Sequence, residues 1–544
     1  MSALRPRTAR IPGLLVTTTA VAAGLVPAGA AQAVSGPEAA AGPYASVVKL
    51  TIGDEATGRG CTGSLVDASW VLTASSCFAA TPGTTLPAGV PALKSTVTLG
   101  DGKRIEVAEL VPRTDRDVVM ARLRTPATGP AGITTASAAP AADADLTAVG
   151  LGRTKTEWAP GKAHTGAFTL NASDATTLTV TGKGTDAICK GDTGGPLLNA
   201  AGELVGINSR SWQGGCLGTD PAETRTGALA ARTDGLREWI DGVRATTPGW
   251  QTKALVQAGT SLYQAARLPD GSWTGYTDLQ AKVGGLGGIR STAAAGVNGD
   301  THVLAISTSG GLFHTVRRQD GTWTTFGDVF GVANALGNLT QVSAVSIGHD
   351  LHVVAVADGK AFHTVRNGAG SWTPFRQING SLTGVTAAAT ASVRGELHVG
   401  LVSGGKPYHT IRQTSGTWLG WGNVAQAVGP TGPVTSLSMA GTGDETHLVI
   451  STDNGTRQYH TVRHFNGTWA PWGDLKGILG VVTAKSVSAA AVNGEVQVAV
   501  TTTDGKLLHT TRHTDRTWDA PVTAPLVGVP AAPGNLAITA TYTG

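Results

Sequence analysis

The sequence predicts an all-β protein in two parts, and three observations predict it. Charged residues make up 14% of the 544-residue chain, against roughly 25% in an average soluble protein, and glycine occurs 75 times. That balance suits short strands and tight turns better than long amphipathic helices. The first half carries short runs in which apolar and polar residues alternate, while the second half repeats one pattern six times. The chain is also longer than one hydrophobic core usually serves, so at least two domains are expected.

The N-terminus comes first. Arg5, Arg7 and Arg10 give a positive start, an apolar run covers Ile11 to Ala30, and Ala31-Gln32-Ala33 fits a small-residue cleavage site. This is the pattern of a secretory signal over residues 1–33. A membrane anchor is the other reading. Pro12, Pro27 and three threonines within the run speak against it, as does the cleavage site that ends it. No later run is long and apolar enough to span a bilayer, so a secreted, soluble product is expected. Net charge is only +4 and no Lys/Arg-rich run stands out, so nucleic acid is not an expected partner.

Residues 34–247 form the first expected domain. Strands are predicted over Ser46–Ile52, Ser64–Leu72, Arg104–Val111, Val118–Arg124, Thr177–Thr181 and Glu203–Asn208. One helix follows. Thr233 or Asp234 is positioned to cap it, and Leu236, Trp239, Ile240 and Val243 share a face. Thr246-Thr247-Pro248-Gly249 then reads as a boundary. All four cysteines (Cys61, Cys77, Cys189, Cys216) lie in this half. In an oxidising compartment they imply two disulfides, with three pairings open. Their spacing does not suit zinc, and no metal or cofactor is expected.

Residues 248–544 form the second. In every repeat an Arg stands six residues before a Trp: Arg267/Trp273, Arg317/Trp323, Arg366/Trp372, Arg412/Trp418, Arg463/Trp469 and Arg512/Trp518. A period near fifty residues with several strands per unit predicts a β-propeller. One unit reads as Ser291–Val297, Thr301–Thr308, Leu312–Arg318 and Thr322–Asp328, with Asn-Gly, Ser-Gly-Gly and Asp-Gly turns. The first unit has only Ala254–Ala258, Leu262–Arg267 and Trp273–Leu279. The terminal NLAITATYTG looks like its missing opening strand, so the C-terminus is expected to close a ring of six blades.

Histidines follow the same period. His314, His363, His409, His460 and His509 precede the motif Arg, and His302, His352, His398 and His447 repeat on the strand before, with Gln497 in the last copy. Repetition in nearly every blade favours a fold-defining network over ligand contacts, and both over metal. The motif also resembles, more loosely, bacterial propeller lectins that bind sugars between blades. That resemblance makes extracellular glycans candidate partners, alongside proteins. Trp421 and Trp472, aligned with Phe326, Phe375 and Tyr276, suit either packing or a sugar platform.

Five motifs in the first domain occur in a telling order: VSGPEAAAGPYASVVKL, CTGSLVDASWVLTASSC, DVVMARL, CKGDTGGPLL and SWQGGC. Together they resemble the trypsin-like (chymotrypsin-fold) serine protease family over about 210 residues. The resemblance implies a chymotrypsin-like double β-barrel and favours the disulfides Cys61–Cys77 and Cys189–Cys216. It also locates the catalytic positions, and two of the three have changed. The stretch that normally ends Thr-Ala-Ala-His-Cys has Ser76 at the His position, and Thr193 stands at the nucleophile position. Asp117 alone is unchanged. The triad needs a His to take the hydroxyl proton and return it to the leaving amine. Ser76 does neither, and the Thr193 methyl crowds attack and restricts χ1. The domain's only His, His164, lies by motif order on a later surface or loop segment.

Other machinery is implied to survive. The N–H groups of Gly191 and Thr193 correspond to the oxyanion hole. Asp192 corresponds to the partner of a mature N-terminal amine, on Ala33 by resemblance or on Val34 by the cleavage motif. With the base gone, holding the loop is the preferred role for Asp117 and Asp192. The specificity pocket maps to Ala187, Ser211 and Gln213. Ala187 stands where trypsin has an acid, so Lys or Arg preference is not expected. The expectation is a catalytically silent protease homologue joined to a binding propeller. An endopeptidase using Thr193 as nucleophile is the competing one.

Overall fold

The computed structural model describes residues 34, 37–39, 42–54, 58–81, 83–378, 380 and 382–544. The predicted signal segment lies outside the described residues. Two closed six-stranded barrels come first. In spatial order the first contains Val47–Ile52, Arg59–Leu65, Trp70–Thr73, Val119–Leu123, Arg104–Pro112 and Ser95–Thr98. The second contains Pro196–Leu198, Leu204–Ser211, Gly227–Arg232, Thr177–Gly182, His164–Ser173 and Asp145–Gly150. The first barrel's core of Leu50, Trp70, Met120 and their neighbours extends to Leu204 and Ile207 of the second, so the barrels share apolar packing. Disulfides join Cys61 to Cys77 and Cys189 to Cys216, the pairing that the resemblance implied.

Two local expectations are corrected. The single strand predicted over Ser64–Leu72 is two antiparallel strands, Arg59–Leu65 and Trp70–Thr73. The reversal is chemical: Asp67 Oδ1 accepts the Ser69 N–H at 2.7 Å, an Asx turn inside an apolar run. The helix is Arg237–Arg244, and neither Thr233 nor Asp234 caps it. Thr233 Oγ1 donates instead to the Leu204 carbonyl, and Asp234 pairs with Arg232. The apolar face is as expected, with Leu236, Ile240 and Val243 buried and Trp239 packed beside them.

The second half is six four-stranded antiparallel sheets. Blade one is completed by the C-terminus: Pro533–Thr543 pairs antiparallel with Gly249–Ala258 and takes the innermost place that Ile289–Val297 holds in blade two. The outermost strands are shorter than predicted. Thr322–Asp328 reduces to an Arg317–Trp323 bridge and the pair Gly327–Asp328. Thr324 explains the gap, because its Oγ1 accepts the Val316 N–H at 2.9 Å and its carbonyl accepts Thr315 Oγ1 at 2.6 Å. Trp273–Leu279 likewise shrinks to Thr277–Asp278, with Thr274 Oγ1 taking the Ala266 N–H.

The helix end joins the two halves. Buried Arg244 donates through Nε to Asp67 Oδ2 (2.6 Å) and through Nη1 to Asp241 Oδ1 (2.9 Å). It also reaches Ser272 Oγ (3.1 Å) and the Trp273 carbonyl (3.3 Å) in blade one. Trp70 Nε1 donates to Thr247 Oγ1, and Gly275 N–H donates to Asp241 Oδ2. Among the described residues no helix is long and apolar enough to cross a membrane.

Candidate functional site

Ser76 sits in a one-turn helix, Ser75–Cys77, anchored by the Cys61–Cys77 disulfide and by Ser75 Oγ donating to the Val118 carbonyl at 2.7 Å. Asp117 lies just before the strand Val119–Leu123. Its Oδ1 accepts the Ser76 N–H at 2.7 Å. Its Oδ2 accepts Ser76 Oγ at 2.8 Å and Ser209 Oγ at 2.6 Å. Thr193 Oγ1 donates to the Ser209 carbonyl at 3.4 Å, a long bond. Ser76, Asp117, Thr193 and Ser209 thus line one cleft of about 810 Å³ at the meeting of the barrels.

Chemically, this part of the cleft holds the hydroxyls of Ser76, Thr193 and Ser209 beside the Asp117 carboxylate. Each hydroxyl acts as a donor, and among the described residues no histidine lines the cleft to take the Thr193 proton. His164 is elsewhere. It is not a loop or surface residue as expected, but the buried first residue of the strand His164–Ser173, paired with Gly150 and bridged to Glu38. Ser209 is the functional residue that the sequence reading missed. The motif SWQGGC points to Ser211, two positions later, whereas the strand carries a register shift between Asn208 and Arg210 and it is Ser209 that meets Asp117.

Asp192 is fully buried, between Thr193 and the second disulfide. Its Oδ1 accepts the Gly152 N–H and its Oδ2 the Cys189 N–H, each at 2.8 Å. Burial pushes its carboxyl up to about 7, against the lowering effect of those two N–H groups. Val34 is buried close by. Both the Asp192 carboxylate and a Val34 methyl press on the Cα of Gly150, where a Cβ would overlap them. Among the described residues the N–H groups of Gly191 and Thr193 have no internal acceptor.

The predicted pocket residues lie around the second disulfide. Ala187 is buried against the Cys189–Cys216 disulfide, and Ser211 Oγ donates to the Ile188 carbonyl. Gln213 turns the chain at φ +62°, its carbonyl accepting the Cys216 N–H. Between them Trp212 is exposed, with the Arg225 guanidinium 3.5 Å from its ring centroid.

In the propeller the histidines pair between strands of one blade. His302–His314, His352–His363, His398–His409 and His447–His460 are bonded ring to ring at 3.0–3.1 Å, and His509 bonds Gln497 at 2.9 Å. Each outer ring then meets edge-on the Trp of the next blade. His314 meets Trp372, His363 meets Trp418, His409 meets Trp469, His460 meets Trp518 and His509 meets Trp273, at 5.5–5.7 Å between centroids. Arg317, Arg366, Arg412 and Arg463 bridge to the Trp of their own blades. Burial, then the next blade's Arg, pushes His302, His352 and His398 down to about 4. This is the inter-strand and inter-blade network expected from the repeats.

The exception is the junction of blades one and two. Register puts Lys253 where His302 stands and Gln264 where His314 stands. Lys253 is buried, bonded to Gln251 and pushed down to about 7 by burial. A hollow of about 170 Å³ there, lined by Gln264, Arg317 and Trp323, is roofed by Glu238 and Asp241 of the helix. Between blades four and five His409, Arg463 and Trp469 line a comparable hollow of about 220 Å³. Trp472 is tied by Nε1 to the Gly429 carbonyl at 3.0 Å. Among the described residues no group of three or more His, Cys, Asp or Glu is placed to hold a metal ion.

Residues 33–240 match the family model described as Trypsin. No curated protein matches the chain.

Proposed function

We propose that this chain, a trypsin-like domain joined to a six-bladed propeller, is an exported binding protein whose protease cleft does not cut peptides. One observation carries the reading: Ser76, at the position of the catalytic base, donates its hydroxyl to Asp117 at 2.8 Å. Peptide hydrolysis by this architecture needs a group that takes the nucleophile's proton and passes it to the leaving amine. A serine hydroxyl already donating to a carboxylate supplies no such group. What remains is the residual catalysis of oxyanion stabilisation and binding, about 10³–10⁴ over water, far from a working protease.

In this reading the N–H groups of Gly191 and Thr193 are an idle oxyanion hole. Asp192 holds the loop and receives the mature N-terminal amine, which the burial of Val34 against the same glycine supports. Ala187, Ser211 and Gln213 are relics of a substrate pocket. The two disulfides support export, since such bonds persist in oxidising compartments. The propeller is the recognition module, with surface glycans or proteins as partners. Hollows such as that beside His409 and Trp469 are the places for them.

The test is hydrolysis of a peptide library by the purified mature protein. Thr193→Ala is the control, and Ser76→His with Thr193→Ser the reference. Wild type and Thr193→Ala are expected to be equally inert, and the double replacement to cut. Cleavage by wild type that Thr193→Ala abolishes would overturn the reading in favour of a threonine endopeptidase.

A further inference from the structure

We propose that the cleft around Ser76 and Asp117 binds an acidic peptide segment with an adjoining apolar residue. This rests on the reading of that cleft as a binding rather than a cutting site. The whole chain is nearly balanced, with 41 basic and 37 acidic residues. The cleft is not. Its lining includes Arg59, Arg113, Arg116, Arg153, Lys190 and Arg210, against only Asp115 and Asp117.

Pairing removes little of this excess. Arg113 and Arg116 share the single carboxylate Asp115. Arg59 donates to the Ala79 carbonyl and Arg153 lies 4.3 Å from the Trp158 ring centroid, and neither contact neutralises charge. Lys190 and Arg210 are exposed, and among the described residues neither has a carboxylate partner. Asp117 is already engaged by three donors. A concave wall of like charge focuses potential and draws in anions, and guanidinium groups favour carboxylates through paired N–H bonds.

The occupant is a peptide because the cleft does not end in charge. Arg210 also lines a neighbouring groove of about 390 Å³ whose walls include Val180, Trp212 and Leu229. A segment passing Arg210 moves from cations to an apolar wall within a few residues. A sulfated glycan or a nucleic acid is anionic throughout and gains nothing from that wall. Arg225 already covers one face of Trp212, so that face is not free for a stacking base. A peptide carries both chemistries side by side.

The experiment is fluorescence anisotropy of the full mature protein with three labelled probes. These are the pentapeptide Glu-Asp-Glu-Leu-Phe, its Lys-Lys-Lys-Leu-Phe counterpart, and a heparin hexasaccharide. Only the acidic peptide is expected to bind, more weakly as salt rises. Lys190→Glu with Arg210→Glu is expected to weaken it by about tenfold or more. Should that variant melt early, Lys190→Gln alone, at an exposed site, is expected to lose about threefold. Equal binding of the basic peptide, binding of the hexasaccharide alone, or unchanged affinity in the folded variants would each overturn the proposal. Mass spectrometry of the same mixtures separates the two readings. A cut peptide refutes catalytic silence and leaves the binding result standing, whereas an intact, unbound peptide refutes only this proposal.

Discussion

Asp192 shows how much one buried carboxyl decides. Among the described residues it takes two backbone N–H bonds and no cationic side chain, and burial lifts its pKa to about 7, well above the usual carboxylate range. The folded state therefore holds a proton that the unfolded state has released. In a form carrying residues ahead of Val34, stability should fall as pH rises from about 4 to about 7. In the mature form an N-terminal amine would stabilise the ionised carboxylate, and that fall should flatten or reverse. Thermal melts of the extended and mature proteins across this range check it. A fall of equal size in both would show that no amine reaches Asp192. The loop was legible as GDTGGP, but the side-chain partners were not. Ser209 was hidden because a β-bulge, unreadable in SRSWQ, sets which serine meets Asp117.

At the scale of elements, the buried histidine pairs link packing to pH. Burial, then the paired histidine and the next blade's Arg, pushes His314 and His363 down to about 3, and burial with the next blade's Arg pushes His302 and His352 down to about 4. Their folded pKa values lie below the unfolded value near 6.5, so the stability they contribute is complete above that pH and drains as pH falls toward 4. The propeller's melting temperature should drop clearly between pH 7.5 and pH 5. His363→Gln, which keeps a polar ring-sized group without the titration, should lessen the drop while lowering stability at pH 7.5 by about 1 kcal/mol. An unchanged slope in calorimetry would refute the assignment. The spacing of these residues was visible because each blade repeats it. The shortness of the outer strands was not, since Thr324 and Thr274 trade ladder bonds for side-chain bonds only once the neighbouring strand is in place.

At the scale of the molecule, Arg244 ties the first barrel, the helix and blade one together. Its partner Asp67 is buried, and burial raises that carboxyl while Arg244 holds it down. Replacing Arg244 by Ala should strand a buried charge and cost about 3–5 kcal/mol. The expected readout is a single calorimetric transition splitting into two, with new protease sensitivity near residues 245–249. One unsplit transition with wild-type resistance would mean that the halves are held by other contacts. The helix also roofs the hollow at blades one and two, the junction where Lys253 and Gln264 replace the His pair. The repeat is broken where the other domain sits.

The two-part all-β plan, the six blades, the closing C-terminal strand and the altered residues Ser76 and Thr193 are all legible in the linear chain. Periodicity, turn chemistry and ordered motifs are local properties, and local properties survive in a linear text. It took the folded arrangement to settle that Ser209 completes the Asp117 cluster and that His164 is buried in a strand. The same arrangement decided that Arg244 bridges the halves and that six cations scattered from Arg59 to Arg210 face one cleft. Those facts depend on which distant segments meet, and burial, register and charge density exist only after they have met.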